Sequence, residues 1–93
     1  MTTAWHLFTR LEVAQSEMDD DAQFWIEKAD PQIFAARPDD VAAIQAARDR
    51  GWKILPGMSF VHQAFKIDAE EQHYRSNEML TDICVRYRLF DAG

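Results

Sequence analysis

The chain has 93 residues, 47% of them hydrophobic, and sixteen carboxylates stand against ten lysines and arginines for a net charge of −6. One domain fits that length, and the apolar content is too high for a disordered chain. Nucleic-acid affinity rests on neutralising phosphates, so the acidic balance argues against direct nucleic-acid binding, and no run approaches the roughly 20 apolar residues that span a bilayer.

In chain order, the first element is a strand. Trp5, Leu7, Thr9, Leu11 and Val13 alternate with His6, Phe8, Arg10 and Glu12, the period of a pleated segment. A helix is predicted over about residues 17–29. Met18, Ala22, Trp25 and Ala29 recur there at helical spacing, and Asp19, Asp20 and Asp21 occupy the end that the helix dipole favours for acids. Pro31 disfavours helical geometry at Asp30 and ends it. The next helix, residues 38–50, has agreement from every local signal. Pro38 suits the first helical position, Asp39 and Asp40 follow in the first turn, and Val41, Ile44 and Ala47 form an apolar stripe. Arg48 and Arg50 sit at the negative end, and Gly51 is placed for the left-handed residue beyond it.

Pro56 and Gly57 mark a tight turn between a short strand at residues 52–55 and a longer one at 58–67. The longer strand places Val61, Phe65 and Ile67 on one face and Phe60, His62 and Lys66 on the other. The polar stretch 68–78 is expected as a loop. Thr81, Ile83, Val85, Tyr87 and Leu89 then alternate with Asp82, Cys84, Arg86 and Arg88 as a last strand. Period alone does not settle these ends. Ala4, Phe8, Leu11 and Met18 also fit one long N-terminal helix, and Leu80, Ile83, Cys84 and Tyr87 recur at helical spacing. The preferred fold is α+β: a small antiparallel sheet, order β-α-α-β-β-β, with two helices packed on one face. An all-α bundle is the alternative. The open sheet face would carry His62, Lys66, Arg86 and Arg88, joined by Arg10 and Glu12.

All the surplus acid lies in the first half, where residues 1–46 hold nine carboxylates and three cations. Such a field attracts basic surfaces. Glu17, Asp19, Asp20, Asp21, Asp39 and Asp40 are therefore the candidate partner-binding acids, although acidic first turns are also ordinary helix chemistry. Trp5 and Phe8 are the candidate apolar anchors, because aromatic side chains dominate interface hot spots. The acidic run lacks the alternating ligands, glycine and closing glutamate of a calcium loop.

No metal site or cofactor is expected. His62, His73 and Cys84 are scattered, without the paired spacing that presets zinc. Cys84 is the one cysteine, so it makes no internal disulfide, and its bland role is packing. Glu70, Glu71, His73, Tyr74 and Arg75 form an acid–base set only on paper, and phosphate-cradling and nucleophile motifs are missing. The opening Met-Thr-Thr-Ala-Trp-His has neither the cationic region nor the apolar run of a secretory signal, so a cytoplasmic protein is expected. The function expected is a non-catalytic acidic module of inhibitor, immunity or anti-defence type that binds a basic surface of another protein. An accessory subunit of a larger enzyme complex is the second expectation and a small enzyme or ligand-binding domain the third. A homodimer would supply stability that a chain this short lacks.

Overall fold

The computed structural model describes residues 3–92. It is a small α+β fold and not an all-α bundle. Strand β1 (Ala4–Val13) pairs antiparallel with β4 (Ser59–Ile67), and β4 pairs antiparallel with β5 (Glu70–Asn77). The sheet order is β1-β4-β5. A second, two-stranded ladder joins β2 (Met18–Asp19) to β3 (Lys53–Ile54). Helices α1 (Ala22–Ile26), α2 (Pro38–Asp49) and α3 (Glu78–Arg86) form the other layer, with 3₁₀ turns at Pro31–Phe34 and Leu89–Ala92.

Helix α2 forms where its local chemistry dictates. Its C-terminus is a Schellman motif: Gly51, at φ +69°, donates to the Arg48 carbonyl, and Trp52 donates to the Ala47 carbonyl. Trp52 and Ala47 are both buried in the same core, so the motif's hydrophobic contact is present too. The turn at Pro56-Gly57 also stands, with Gly57 at φ +89° and Met58 donating to the Leu55 carbonyl.

Three local expectations are corrected. The helix expected over residues 17–29 is only α1, because Met18 and Asp19 pair with Ile54 and Lys53 in a ladder. The polar stretch expected as a loop is strand β5, joined to β4 by a two-residue turn. Asp68 and Ala69 there adopt φ values of +50° and +71°, a hairpin geometry ordinarily marked by Asn-Gly. The expected last strand is helix α3. Asn77 caps it, its side-chain oxygen accepting from the amides of Met79 and Leu80, and Leu80, Ile83 and Cys84 are wholly buried. Strand propensity spans only about 1 kcal/mol, whereas each large apolar side chain buried contributes roughly 1.5–3 kcal/mol. Burial wins. Arg86 and Arg88 consequently do not lie on the sheet.

The main core unites Ile26, Phe34, Ile44, Trp52, Leu80, Ile83 and Leu89. A satellite of Ala14, Ile54 and Phe60 fills the corner under the two-stranded ladder. The helical layer meets the sheet at its β5 side, where Tyr74 packs edge-on against Trp25 and Phe90 at 5.6 and 5.4 Å. Strand β1 has its substantial contacts with β4 alone. It runs along the margin of a molecule only 17 Å thick.

Candidate functional site

A sheet edge presents unpaired backbone N–H and C=O groups that invite another strand. The outer edge of β5 is closed at its C-terminal end, around Arg75 and Asn77. Asp21 donates its amide to the Arg75 carbonyl (2.9 Å) and accepts the Arg75 amide on Oδ2 (2.8 Å), while Asp20 Oδ2 accepts the Asn77 amide (3.1 Å). Two aspartates thus do the pairing that a further strand would do. Among the described residues strand β1 has no such cover, and Trp5, Leu7, Leu11 and Val13 stand exposed along it, at 61, 46, 63 and 61% of their surface.

The hydrogen-bond phase of β1 identifies its outward groups. Ala14 donates to the Met58 carbonyl (2.9 Å) and accepts from the Gly57 amide (2.8 Å), so its backbone faces the β4 side. Alternation along an antiparallel ladder then turns Glu12 and Arg10 inward and Val13, Leu11 and Thr9 outward. The register is unbroken from Phe8 to Val13, and Leu7 is an extra residue in a bulge between His6 and Phe8. The bulge corrects the simple alternation expected for this strand. His6 moves to the face of Thr9 and Phe65, where it hydrogen-bonds Thr9 at 2.6 Å, and Trp5 moves to the face of Phe8.

On that latter face the three strands bring four side chains into a line. Glu12 Oε2 meets His62 Nδ1 at 2.5 Å, His62 Nε2 meets His73 Nδ1 at 2.7 Å, and His73 Nε2 meets Glu71 Oε1 at 2.8 Å. Each outer ring nitrogen meets a carboxylate oxygen and the two inner nitrogens meet each other. Phe8 lies edge-on to both rings, at 5.0 and 6.2 Å, and the Arg10 guanidinium sits 3.8 Å from its ring centre. All four ring nitrogens are occupied within the chain, which makes this a cross-strand brace. His62 and His73 come together only because β5 is a strand, so the loop assignment hid the cluster. Alternation of Glu71, His73 and Arg75 against Gln72, Tyr74 and Ser76 is the signal that would have revealed it.

The eight candidate residues do not form one surface. Asp20 and Asp40 are buried, which corrects their placement among partner-binding acids. Asp20 accepts the amides of Ala22 (3.0 Å) and Asn77, and burial pushes its carboxyl above the ordinary range despite those bonds. Asp40 accepts two bonds from the Arg86 guanidinium (2.7 and 2.8 Å) and one from the Tyr87 hydroxyl (2.7 Å). Burial raises its carboxyl, but Tyr87 and Arg86 outweigh it and the result lies below the ordinary value. Asp21 is engaged at the β5 edge, and Asp19 pairs with Lys53. Glu17 and Asp39 are exposed and, among the described residues, have no ion-pair partner. Trp5 is exposed as expected of an anchor, whereas Phe8 is half-buried against the histidines.

Two further features complete the chemistry. Cys84 is wholly enclosed and burial pushes its thiol up to about 12, which leaves it a packing residue. A cleft of about 540 Å³ opens between the sheet and the helical layer, walled by Trp25, Phe65, Ile67, Tyr74 and Phe90. Among the described residues, no three histidine, cysteine or acidic side chains are grouped to hold a metal ion, and no helix is long and apolar enough to cross a membrane. No family model matches the chain, and neither the curated proteins nor the solved structures include a significant match to it.

Proposed function

We propose that this protein is a non-catalytic protein-binding module that engages its partner by strand addition along β1. One observation supports this above the rest: Asp20 and Asp21 close the Arg75–Asn77 end of the β5 edge, while β1 keeps a free edge studded with exposed apolar side chains. Main-chain hydrogen bonds would supply affinity, and the side chains of Leu7, Leu11 and Val13 would supply specificity. The net charge of −6 favours an inhibitor-type role against a basic partner, with Glu17 and Asp39 as the acids left available.

The test is a proline at position 11. Leu11 directs its N–H outward, so Leu11→Pro leaves the β1–β4 ladder intact and removes a donor from the free edge. Arg10→Pro is the contrasting variant, because it breaks the ladder itself. Wild type and Leu11→Pro would be used as bait in the native host, with circular dichroism to confirm equal folding. Loss of the specific partners from Leu11→Pro supports strand addition, as does protection of the Thr9, Leu11 and Val13 amides from exchange in the wild-type complex. Undiminished capture by a folded Leu11→Pro protein overturns it.

A further inference from the structure

We infer that the strand added to β1 is the β1 of a second copy of this chain, paired antiparallel about a two-fold axis at Leu11 into a continuous six-stranded sheet. This rests on the strand-addition reading and names its partner. The outward groups belong to Thr9, Leu11 and Val13, so a self-pairing must set these residues opposite one another. Three registers pair at least two of these residues with one another without using the bulge at Leu7. Centred on Arg10, two guanidiniums face each other. Centred on Glu12, two carboxylates do. Centred on Leu11, each Arg10 faces Glu12 of the other copy, twice by symmetry. Like charges directly opposite destabilise a strand pair and opposite charges support it, which selects the third register.

The same register is consistent with the rest of the sheet. Arg10 and Glu12 form non-hydrogen-bonded pairs, whose side chains approach most closely. Glu12 uses one oxygen for His62 and retains the other. On the opposite face the two Leu11 side chains meet, flanked by Thr9 and Val13 and beside Val61, their neighbour on β4. The helical layers pack on β4 and β5 and make no substantial contact with β1. Such an interface is isologous and occupies the β1 edge of both copies at once, so it closes at two copies.

Engineered cysteines read the register directly, because native Cys84 is buried. Opposed residues of a hydrogen-bonded antiparallel pair have Cα atoms about 5.5 Å apart, within disulfide reach. Leu11→Cys chains should therefore cross-link to one another under mild oxidation. Thr9→Cys and Val13→Cys chains should not link to themselves, being offset by about 13 Å along the strand, but should link in a mixture of the two. The work belongs at about 0.15 M salt, where the overall repulsion between like-charged copies is screened. Sedimentation equilibrium of the wild type should show a monomer–dimer equilibrium that Arg10→Glu weakens at least tenfold. A wild type that stays monomeric up to its solubility limit, or a linking pattern other than this one, overturns the dimer. If the dimer fails while Leu11→Pro still abolishes partner capture, strand addition survives with a different occupant. If both fail, β1 is not a binding edge.

Discussion

Asp20 offers the sharpest test of how the acidic run is used. Its carboxylate is buried and accepts two backbone amides, Ala22 at 3.0 Å and Asn77 at 3.1 Å. Asp20→Ala leaves both donors without an acceptor. An orphaned buried group costs about 1–3 kcal/mol, and the Asn77 amide, nearer the surface, belongs at the low end. Removing a carboxylate held against its own desolvation returns part of this, so the net loss should be about 2–3 kcal/mol. A domain of this length has roughly 5–14 kcal/mol of stability in total. Urea unfolding, with a slope of about 1 kcal/mol per molar at this size, should show a midpoint lower by about 2 M. The melting temperature should fall by about 10–20 °C.

A second variant separates charge from hydrogen bonding. Burial raises the Asp20 carboxyl in the folded state, so the native protein binds this proton more tightly than the unfolded chain does. Stability from this group therefore increases as pH falls from neutrality toward the ordinary aspartate value near 3.8. Asp20→Asn cannot titrate, and the wild type should gain on it over that window. A loss below about 0.5 kcal/mol for Asp20→Ala, within the scatter of surface substitutions, would refute the reasoning. So would fast exchange of the Ala22 and Asn77 amides in the wild type.

Asp40 has the opposite pH sign. Its carboxyl is lowered in the folded state, so its stabilisation is complete above the unfolded value near 3.8 and disappears as pH falls through the folded one. Asp40→Asn should cost about 2 kcal/mol at neutral pH, typical of hydrogen bonds to a charged group. The cost should shrink in acid, measured by denaturation at a series of pH values. At the β4–β5 turn, Ala69 holds φ +71°, a conformation that penalises a Cβ by about 1–2 kcal/mol. Ala69→Gly should raise stability by about 0.5–1 kcal/mol after the extra freedom it gives the unfolded chain. Unchanged or lowered stability on thermal unfolding would show that the turn is not strained.

How much was legible in the sequence follows from where burial and local chemistry agree. Helix α2 carries its whole specification within fourteen residues, from Pro38 to Gly51, and the Pro56-Gly57 turn is as local. The faces of β4 alternate as expected, but His62, expected on the open face, is buried with Phe60 and Ala64. Strand β5 was hidden for a physical reason. It pairs with β4 through its backbone, only Tyr74 and Ser76 of its side chains are buried, and its turn is Asp-Ala where a glycine would have announced a hairpin. Placing a strand at 70–77 leaves α3 as the natural partner of the helical core. Alternation in residues 81–89 competed there with the stripe of Leu80, Ile83, Cys84 and Tyr87, and only the presence of Ile26, Phe34 and Ile44 opposite decides it. The candidate acids were found by charge alone. Charge does not reveal whether a carboxylate faces a partner or its own backbone.

That distinction changes what the charge asymmetry means. Within the first half, Asp20 and Asp21 terminate a sheet, Asp40 ties α2 to the end of α3, Asp19 braces the small ladder against Lys53, and Glu12 anchors the histidine pair. Each is matched by a group from the second half of the chain, where the charges balance. Five of the nine acids in the first half are thus engaged inside the fold, by two cations, a histidine and backbone amides, while Glu17 and Asp39 stay exposed. A protein that spends two aspartates to shield the Arg75–Asn77 end of β5 has reduced the aggregation hazard of an open edge there. Leaving β1, with Leu11 and Val13 bare, equally open would repeat the same hazard unless something occupies it. The edge left unshielded is therefore the place to look for a partner, and the placement of Arg10 and Glu12 on either side of Leu11 is a pattern that a second β1 can complete.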